Sequence, residues 1–147
     1  MADYVIVMGY DEHYAGGEAG SVSSIPYVRE GIENTLKEVP KEKVINAVPF
    51  YTRVWTVNEG KTSSKAYGIS DARQWVEENQ VELTWQADTA QYYGEKQTND
   101  GAQFLWMEEE RSLKEKMNVV RQNDLAGVAC WKLGFEDSAA WDSIQWN

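Results

Sequence analysis

Cysteine is nearly absent from this sequence. Cys130 is the only one in 147 residues, so no disulfide can form within the chain and cysteine pairing says nothing about its compartment. Histidine is as scarce: with His13 alone, a site built on several imidazoles is excluded. Basic charge is also in short supply, 14 Lys and Arg against 24 Asp and Glu leaving a net charge of −10. No local Lys/Arg cluster offsets it, which argues against nucleic acid and against an anionic membrane surface as partners. No apolar run is long enough to span a bilayer, and the opening residues do not read as a signal peptide. Internal repeats and low-complexity tracts are lacking too. Aromatic residues are plentiful, with seven Trp and eight Tyr, and they serve either core packing or stacking on sugar rings.

Three short apolar runs each end abruptly in side chains that hydrogen-bond or exchange protons. Val5-Ile6-Val7-Met8 passes through Gly9 into Tyr10-Asp11-Glu12-His13-Tyr14. Val44-Ile45-Asn46-Ala47-Val48-Pro49-Phe50 passes into Tyr51-Thr52-Arg53, and Leu125-Ala126-Gly127-Val128-Ala129-Cys130 into Trp131-Lys132. Such runs read as buried strands. Strands that load their chemistry at the C-terminal end belong to a βα-barrel or an open α/β sheet, whose sites lie on that side. Cys130, inside the third run, reads as a buried structural thiol.

Residues 15–23 are rich in Gly, Ser and Ala and read as a mobile loop. Ser24 is placed to cap a helix with Pro26 in its first turn. Val28, Ile32 and Leu36 form the apolar stripe, Glu30, Glu33 and Lys37 face water, and Pro40 stops the helix. Residues 56–69, polar and containing Gly60 and Gly68, are expected to be a loop. Ser70-Asp71 is expected to cap a short helix through Asn79 that buries Trp75 and Val76, and Val81, Leu83 and Trp85 alternate as a half-buried strand. Asn99-Asp100-Gly101, between Gln91-Tyr92-Tyr93 and Phe104-Leu105-Trp106, signals a hairpin. Ser112 is expected to open a helix with Leu113, Met117 and Val120 inside and Lys114, Lys116 and Arg121 in water. Trp141, Ile144 and Trp146, near helical spacing, point to a last helix within 138–147. The segment after Trp55 is too long for an ordinary connection and reads as an inserted α+β unit. The chain then divides into 1–55, 56–111 and 112–147.

The strand ends carry a resemblance. Met8-Gly9-Tyr10-Asp11 resembles the Met-x-Tyr-Asp segment on the sixth barrel strand of glycoside hydrolase family 18, the chitinase family. Val48-Pro49-Phe50-Tyr51-Thr52-Arg53 is similar to the family's seventh strand. Gly127-Val128-Ala129-Cys130-Trp131-Lys132-Leu133-Gly134 is similar to its eighth, in the same order over essentially the whole chain. The Tyr-Asp-Glu-His-Tyr and Pro-Phe-Tyr-Thr-Arg wording most resembles the branch associated with spores and peptidoglycan. The resemblance implies an α/β fold: the last three βα units of a TIM-type (β/α)8 barrel with an α+β insertion between the last two strands. A closed barrel needs eight strands, so it also implies that the sequence is the C-terminal part of a larger protein. Its open edges would then bind the missing N-terminal part or lead the piece to self-associate.

By the same resemblance, the parent is a glycosidase acting on β-1,4-linked N-acetylglucosamine polymers, in peptidoglycan, spore cortex or chitin. It would be extracellular, in the cell wall or at the spore. The family uses substrate-assisted hydrolysis. A Glu in an Asp-x-x-Asp-x-Asp-x-Glu motif protonates the leaving oxygen, and the substrate's acetamido oxygen attacks the anomeric carbon. No stretch here has that spacing, so the general acid is missing and this chain alone is expected to be inactive. Tyr10 matches the tyrosine that bonds the acetamido oxygen, and Asp11 the neighbouring carboxylate that contacts the same sugar. Trp131 matches the aromatic floor of the subsite, and Tyr51, Arg53, Met8 and His13 line the groove.

The residues alone leave other readings open. Tyr10 and Asp11 also read as a strand-end tyrosine with a helix-capping carboxylate, Trp131 as a core residue, and Arg53 as half of a bridge that props a loop. Tyr67, Trp85, Tyr92, Tyr93 and Trp106 serve either a groove wall or the hairpin's own core. Asp11-Glu12-His13 are consecutive and alternate in direction, so no metal site is expected, and no cofactor. A non-catalytic, lectin-like sugar-binding protein with the same barrel is the alternative function.

Overall fold

The computed structural model describes residues 1–146, so Asn147, the last residue of the expected tail, lies outside the described residues. In chain order the strands and helices are β1 (Val5–Met8), α1 (Ile25–Leu36), β2 (Val44–Pro49), β3 (Tyr51–Asn58) and β4 (Lys61–Gly68). These are followed by α2 (Ile69–Glu78), β5 (Thr84–Gln86), β6 (Gln91–Thr98), β7 (Gly101–Met107), α3 (Glu110–Gln122), β8 (Gly127–Trp131) and α4 (Ser138–Ser143). The three apolar runs become β1, β2 and β8, a parallel sheet with β2 in the middle. The chain between β2 and β8 builds a second, antiparallel sheet in the order β4-β3-β7-β6-β5. The chain is therefore α/β, with the antiparallel sheet leaving directly from the C-terminal end of β2.

Helix α1 forms as its pattern dictates. The Ser24 side chain accepts from the Tyr27 amide, proline stands in the first turn, and Val28 and Ile32 are buried. It packs with α3 over one face of the parallel sheet, where Ile25, Val28, Ile32, Val44, Val119, Val120 and Leu125 make one core cluster. A second cluster, Val48, Phe50, Ile69, Leu113 and Ala140, joins α4 to the same layer. The antiparallel sheet has a core of its own: Val54, Ala72, Val81, Leu105 and Met107, with Trp75 and Val76 of α2 packed against it.

Several local expectations need correcting. Residues 56–69 are not a loop. They are the end of β3, a tight turn at Glu59-Gly60, β4, paired with β3 in register from Tyr51↔Gly68 to Asn58↔Lys61, and the first residue of α2. Helix α2 begins at Ile69 after Gly68 with no side-chain cap, so Ser70 and Asp71 lie inside it. Of the strand expected around Val81, Leu83 and Trp85, only Thr84–Gln86 pairs. Helix α3 starts two residues before Ser112, which closes a capping box with Glu109. Lys116, expected in water, is fully buried.

Candidate functional site

The three parallel strands deliver their terminal residues to one end of the sheet. Tyr10 and Trp131 come within 6.4 Å, ring centroid to centroid, and Tyr10 meets Tyr51 edge-on at 6.3 Å. Asp11, Tyr51, Arg53 and Trp131, with Ala66 and Phe135, line a shallow concavity of about 170 Å³. Its Trp131 is 53 % exposed, too open for a core residue. The Trp131–Lys132 peptide bond is cis, and the Trp131 carbonyl accepts from the Phe50 amide at 2.7 Å.

The approach to Tyr10 is set by Gly9. A Cβ there would come within 2.6 Å of the Ala47 carbonyl oxygen and 3.0 Å of the Asn46 side chain, so only glycine lets β1 and β2 close up at this level. Asp11 then takes a left-handed backbone conformation (φ 58°), which Asp tolerates better than most residues, and this turns the chain away from the strand. The loop that follows is pinned at several points. The Glu12 amide donates to the Val22 carbonyl at 2.9 Å, and the Ser23 hydroxyl to the Gly9 carbonyl at 2.6 Å. The Glu12 carboxylate accepts from the Ser24 amide and hydroxyl, and the Trp55 indole N–H donates to the Gly20 carbonyl at 2.9 Å.

The Tyr51 hydroxyl donates a hydrogen bond to the Asp11 carboxylate. Burial, and then the bonded Asp11 carboxylate, push the Tyr51 phenol far above its ordinary range, so it stays a donor. Burial and the Asp11 charge also raise Tyr10. A carboxylate fixed by one tyrosine beside a second, protonated tyrosine is an arrangement that can accept from one ligand group and donate to another. Arg53 makes no carboxylate bridge among the described residues. Its Nη1 donates to Ser64 Oγ at 3.0 Å, and its buried Nε has no partner.

Met8 and His13 lie apart from that concavity. Met8 is 65 % exposed and lines a separate cavity between β1 and α1. His13 donates Nδ1–H to the Ser21 carbonyl at 2.7 Å and lines a different hollow, beside Trp106. Among the described residues, no group of three or more His, Cys, Asp or Glu side chains could hold a metal ion.

Sequence reasoning missed one feature near the site entirely. Glu108, just beyond β7, is buried with Lys116 of α3, whose Nζ meets its two carboxylate oxygens at 2.9 and 3.1 Å. Ser112 Oγ and Gln91 Nε2 also donate to Glu108, each at 2.9 Å. Gln91 in turn accepts from the hydroxyl of Ser21, in the loop that carries His13. The signal was available: 113, 116, 117 and 120 fall at i, i+3, i+4, i+7, so Lys116 occupies a position of the buried stripe.

Residues 1–136 match the model of the family described as glycosyl hydrolases family 18. Among curated proteins, the chain is similar to the uncharacterized glycosylase YvbX of Bacillus subtilis (strain 168), 30 % identical over 154 residues, 98 % of this chain and 42 % of that protein. It is also similar to the cortical fragment-lytic enzyme of the same organism, 28 % identical over 144 residues, 96 % of this chain and 33 % of the relative. The chain thus spans less than half the length of these relatives. Among solved structures, the chitinase from Chromobacterium violaceum ATCC 12472 superposes with a TM-score of 0.90 at 24 % identity, over 97 % of this chain and 44 % of that one. The spore cortex-lytic enzyme SleL of Bacillus megaterium QM B1551 superposes with a TM-score of 0.85 at 26 % identity, over 97 % and 33 %.

Proposed function

Because the chain belongs to glycosyl hydrolases family 18, we propose that it is the C-terminal part of a glycosidase acting on β-1,4-linked N-acetylglucosamine polymers, spore-cortex or cell-wall peptidoglycan first and chitin second. Its three parallel strands are the last three of a (β/α)8 barrel. Residues 1–50 and 110–146 belong to that barrel, and 51–109, the antiparallel sheet with α2, are the α+β insertion, whose bounds take in the whole of β3, against the expected 56–111. The observation that carries this reading is the convergence of Tyr10, Asp11, Tyr51 and Trp131 at one end of three parallel strands.

In the reaction, the Tyr10 hydroxyl donates to the acetamido oxygen as that oxygen turns nucleophilic. Asp11, held by Tyr51, receives a polar group of the same sugar, and the exposed Trp131 face carries the pyranose. The general acid comes from the N-terminal part of the barrel, so this chain by itself turns nothing over. The names of the cortical fragment-lytic relative and of SleL support a wall or spore-cortex substrate and a place of action outside the cytoplasm.

The test is hydrolysis of spore-cortex peptidoglycan by the parent enzyme. Tyr10→Phe should lower kcat about a hundredfold while KM changes little, the signature of a donor used in the transition state. Undiminished turnover by that variant would overturn the assignment. The isolated chain, with the outer edge of β1 unpaired and Ile6 56 % exposed, is expected to self-associate, and a clean monomer in light scattering at high concentration would count against this.

A further inference from the structure

Ser21, Ser23, Gln91, Glu108, Ser112 and Lys116 are each at most 4 % exposed, and the chemistry assigned to Tyr10, Asp11 and Trp131 uses none of them. They come from three separate stretches: the loop after β1, the antiparallel sheet with its exit, and α3. Packing alone does not call for such a cluster, since apolar side chains of the same volume would hold these elements together at least as well.

The hydrogen bonds among them run in an unbroken line toward β1. Lys116 Nζ clamps the Glu108 carboxylate, which also accepts from Gln91 Nε2 at 2.9 Å. The other end of the Gln91 amide, Oε1, accepts from the Ser21 hydroxyl. An ionised carboxylate can only accept, so the NH2 end of Gln91 must face Glu108 and its oxygen must face Ser21. Ser21 Oγ accepts in turn from the Ser23 amide at 3.1 Å, and the Ser23 hydroxyl donates to the Gly9 carbonyl at 2.6 Å. That carbonyl and the Tyr10 nitrogen share one planar peptide, so a shift of the Gly9 oxygen rotates the backbone of Tyr10.

A second arm leaves the same residue. The Glu108 amide donates to Thr52 Oγ1 at 2.8 Å, and Thr52 follows Tyr51, whose hydroxyl holds Asp11. Both arms therefore end on the backbone that presents the concavity's polar groups.

We propose that Gln91 is a positioning residue for Tyr10. Through Gln91, Ser21 and Ser23, the antiparallel sheet holds the Gly9 carbonyl, and with it the Tyr10 hydroxyl, in line with the reacting acetamido group. The insertion is then part of the catalytic geometry, although its Gln91 touches no substrate. This role rests on the Tyr10 reading above, and the kinetics of paired variants separate the two.

The test is kcat and KM of the parent enzyme on spore-cortex peptidoglycan, well below its unfolding temperature. Gln91→Met keeps the volume but neither polar end, and Ser21→Ala removes the hydroxyl that Gln91 receives. Each should lower kcat about tenfold with little change in KM, less than a full ångström of misplacement would cost. Gln103→Met removes a side-chain bond to Thr56 inside the same sheet and should leave kcat unchanged. Because Gln91 acts through Tyr10, adding Gln91→Met to Tyr10→Phe should lower kcat no further than Tyr10→Phe does alone. If Gln91→Met does not fold, Ser21→Ala carries both comparisons. Full kcat in Gln91→Met and Ser21→Ala, an equal loss in Gln103→Met, or losses that multiply in the double variant would overturn the positioning role and leave the Tyr10 reading standing. If Tyr10→Phe itself turns over undiminished, the Tyr10 reading and this role fall together.

Discussion

Replacing Lys116 by Met tests how much of the fold hangs on the buried pair under the second sheet. The Lys116 and Glu108 side chains are 0 % and 1 % exposed. The Glu108 carboxylate has four close contacts, two with Lys116 and one each with Ser112 and Gln91. Met fills most of the lysine volume, so the substitution removes two of those contacts and the compensating Lys116 charge while leaving the carboxylate sealed in. Breaking a buried pair from one side costs about 3–5 kcal/mol. Against a total stability of about 5–15 kcal/mol, that is about a fifth or more. Urea unfolding followed by circular dichroism reads the loss as a lowered midpoint.

The pH dependence gives the argument a second arm. Burial already holds Glu108 above the ordinary carboxylate range, opposed first by the Lys116 charge. Without that charge, folded Glu108 grips its proton still more tightly than the unfolded chain does. Unfolding free energy then falls as pH rises from the ordinary glutamate range through the raised folded value, so the deficit of Lys116→Met should be smaller at about pH 5 than at about pH 8. Adding Glu108→Leu should recover much of the loss, because the stranded charge is gone. A Lys116→Met midpoint no lower than that of Lys114→Met, an exposed control on the same helix, would refute the reasoning.

Other substitutions probe the site and its thiol. Gly9→Ala should destabilise by about 1–3 kcal/mol, since its methyl runs into the backbone carbonyl of Ala47, and thermal unfolding would show this. Tyr51→Phe removes the hydrogen bond to Asp11 and should cost about 1.5 kcal/mol by denaturant titration. Because folded Tyr51 keeps its proton where an unfolded tyrosine loses it, stability should fall as pH rises above about 10, and Tyr51→Phe should flatten that alkaline slope. Burial, with Glu136 nearby, pushes the Cys130 thiol up to about 11, so it should react sluggishly with a disulfide reagent near neutral pH. Reaction as fast as that of a free thiol would show the strand to be open.

What the sequence made legible followed from where each residue ends up. β1, β2 and β8 could be read as unbroken apolar runs, the pattern of parallel strands, although here helices cover only one face of the sheet and Ile6 and Met8 on the other face are exposed. Their terminal residues were legible for the same reason, since a polar cluster directly after such a run has nowhere to go but the sheet's end. β4 was not legible. It is an edge strand, mostly exposed along Lys61–Ala66, and carries no alternation to betray it. Lys116 reads as water-facing by its charge, but its spacing puts it in the buried stripe, and the partner that makes burial tolerable, Glu108, lies in the connection before the helix, where no helical spacing marks it. Met8 ends the strand that leads to Tyr10 and His13 lies beyond the turn at Asp11, yet each lines a hollow other than the one at Trp131. No periodicity encodes that divergence.

The fastening of the loop after β1 bears on how the molecule could be engineered. Glu12, Gly20, Val22 and Ser23 are all tied down, whereas the tip closes only on itself, through the Gly17 amide and the Tyr14 carbonyl at 3.0 Å. Gly16, at φ 87°, has no atom within 4 Å of where a side chain would start. A reporter peptide spliced between Gly16 and Gly17 would therefore lengthen the one stretch that no other element reads. Each doubling of that stretch costs only about 0.6 kcal/mol in closure entropy. The same peptide spliced between Gly20 and Ser21 would pull the Trp55 indole, the Ser21–Gln91 bond and the His13 anchor out of place together.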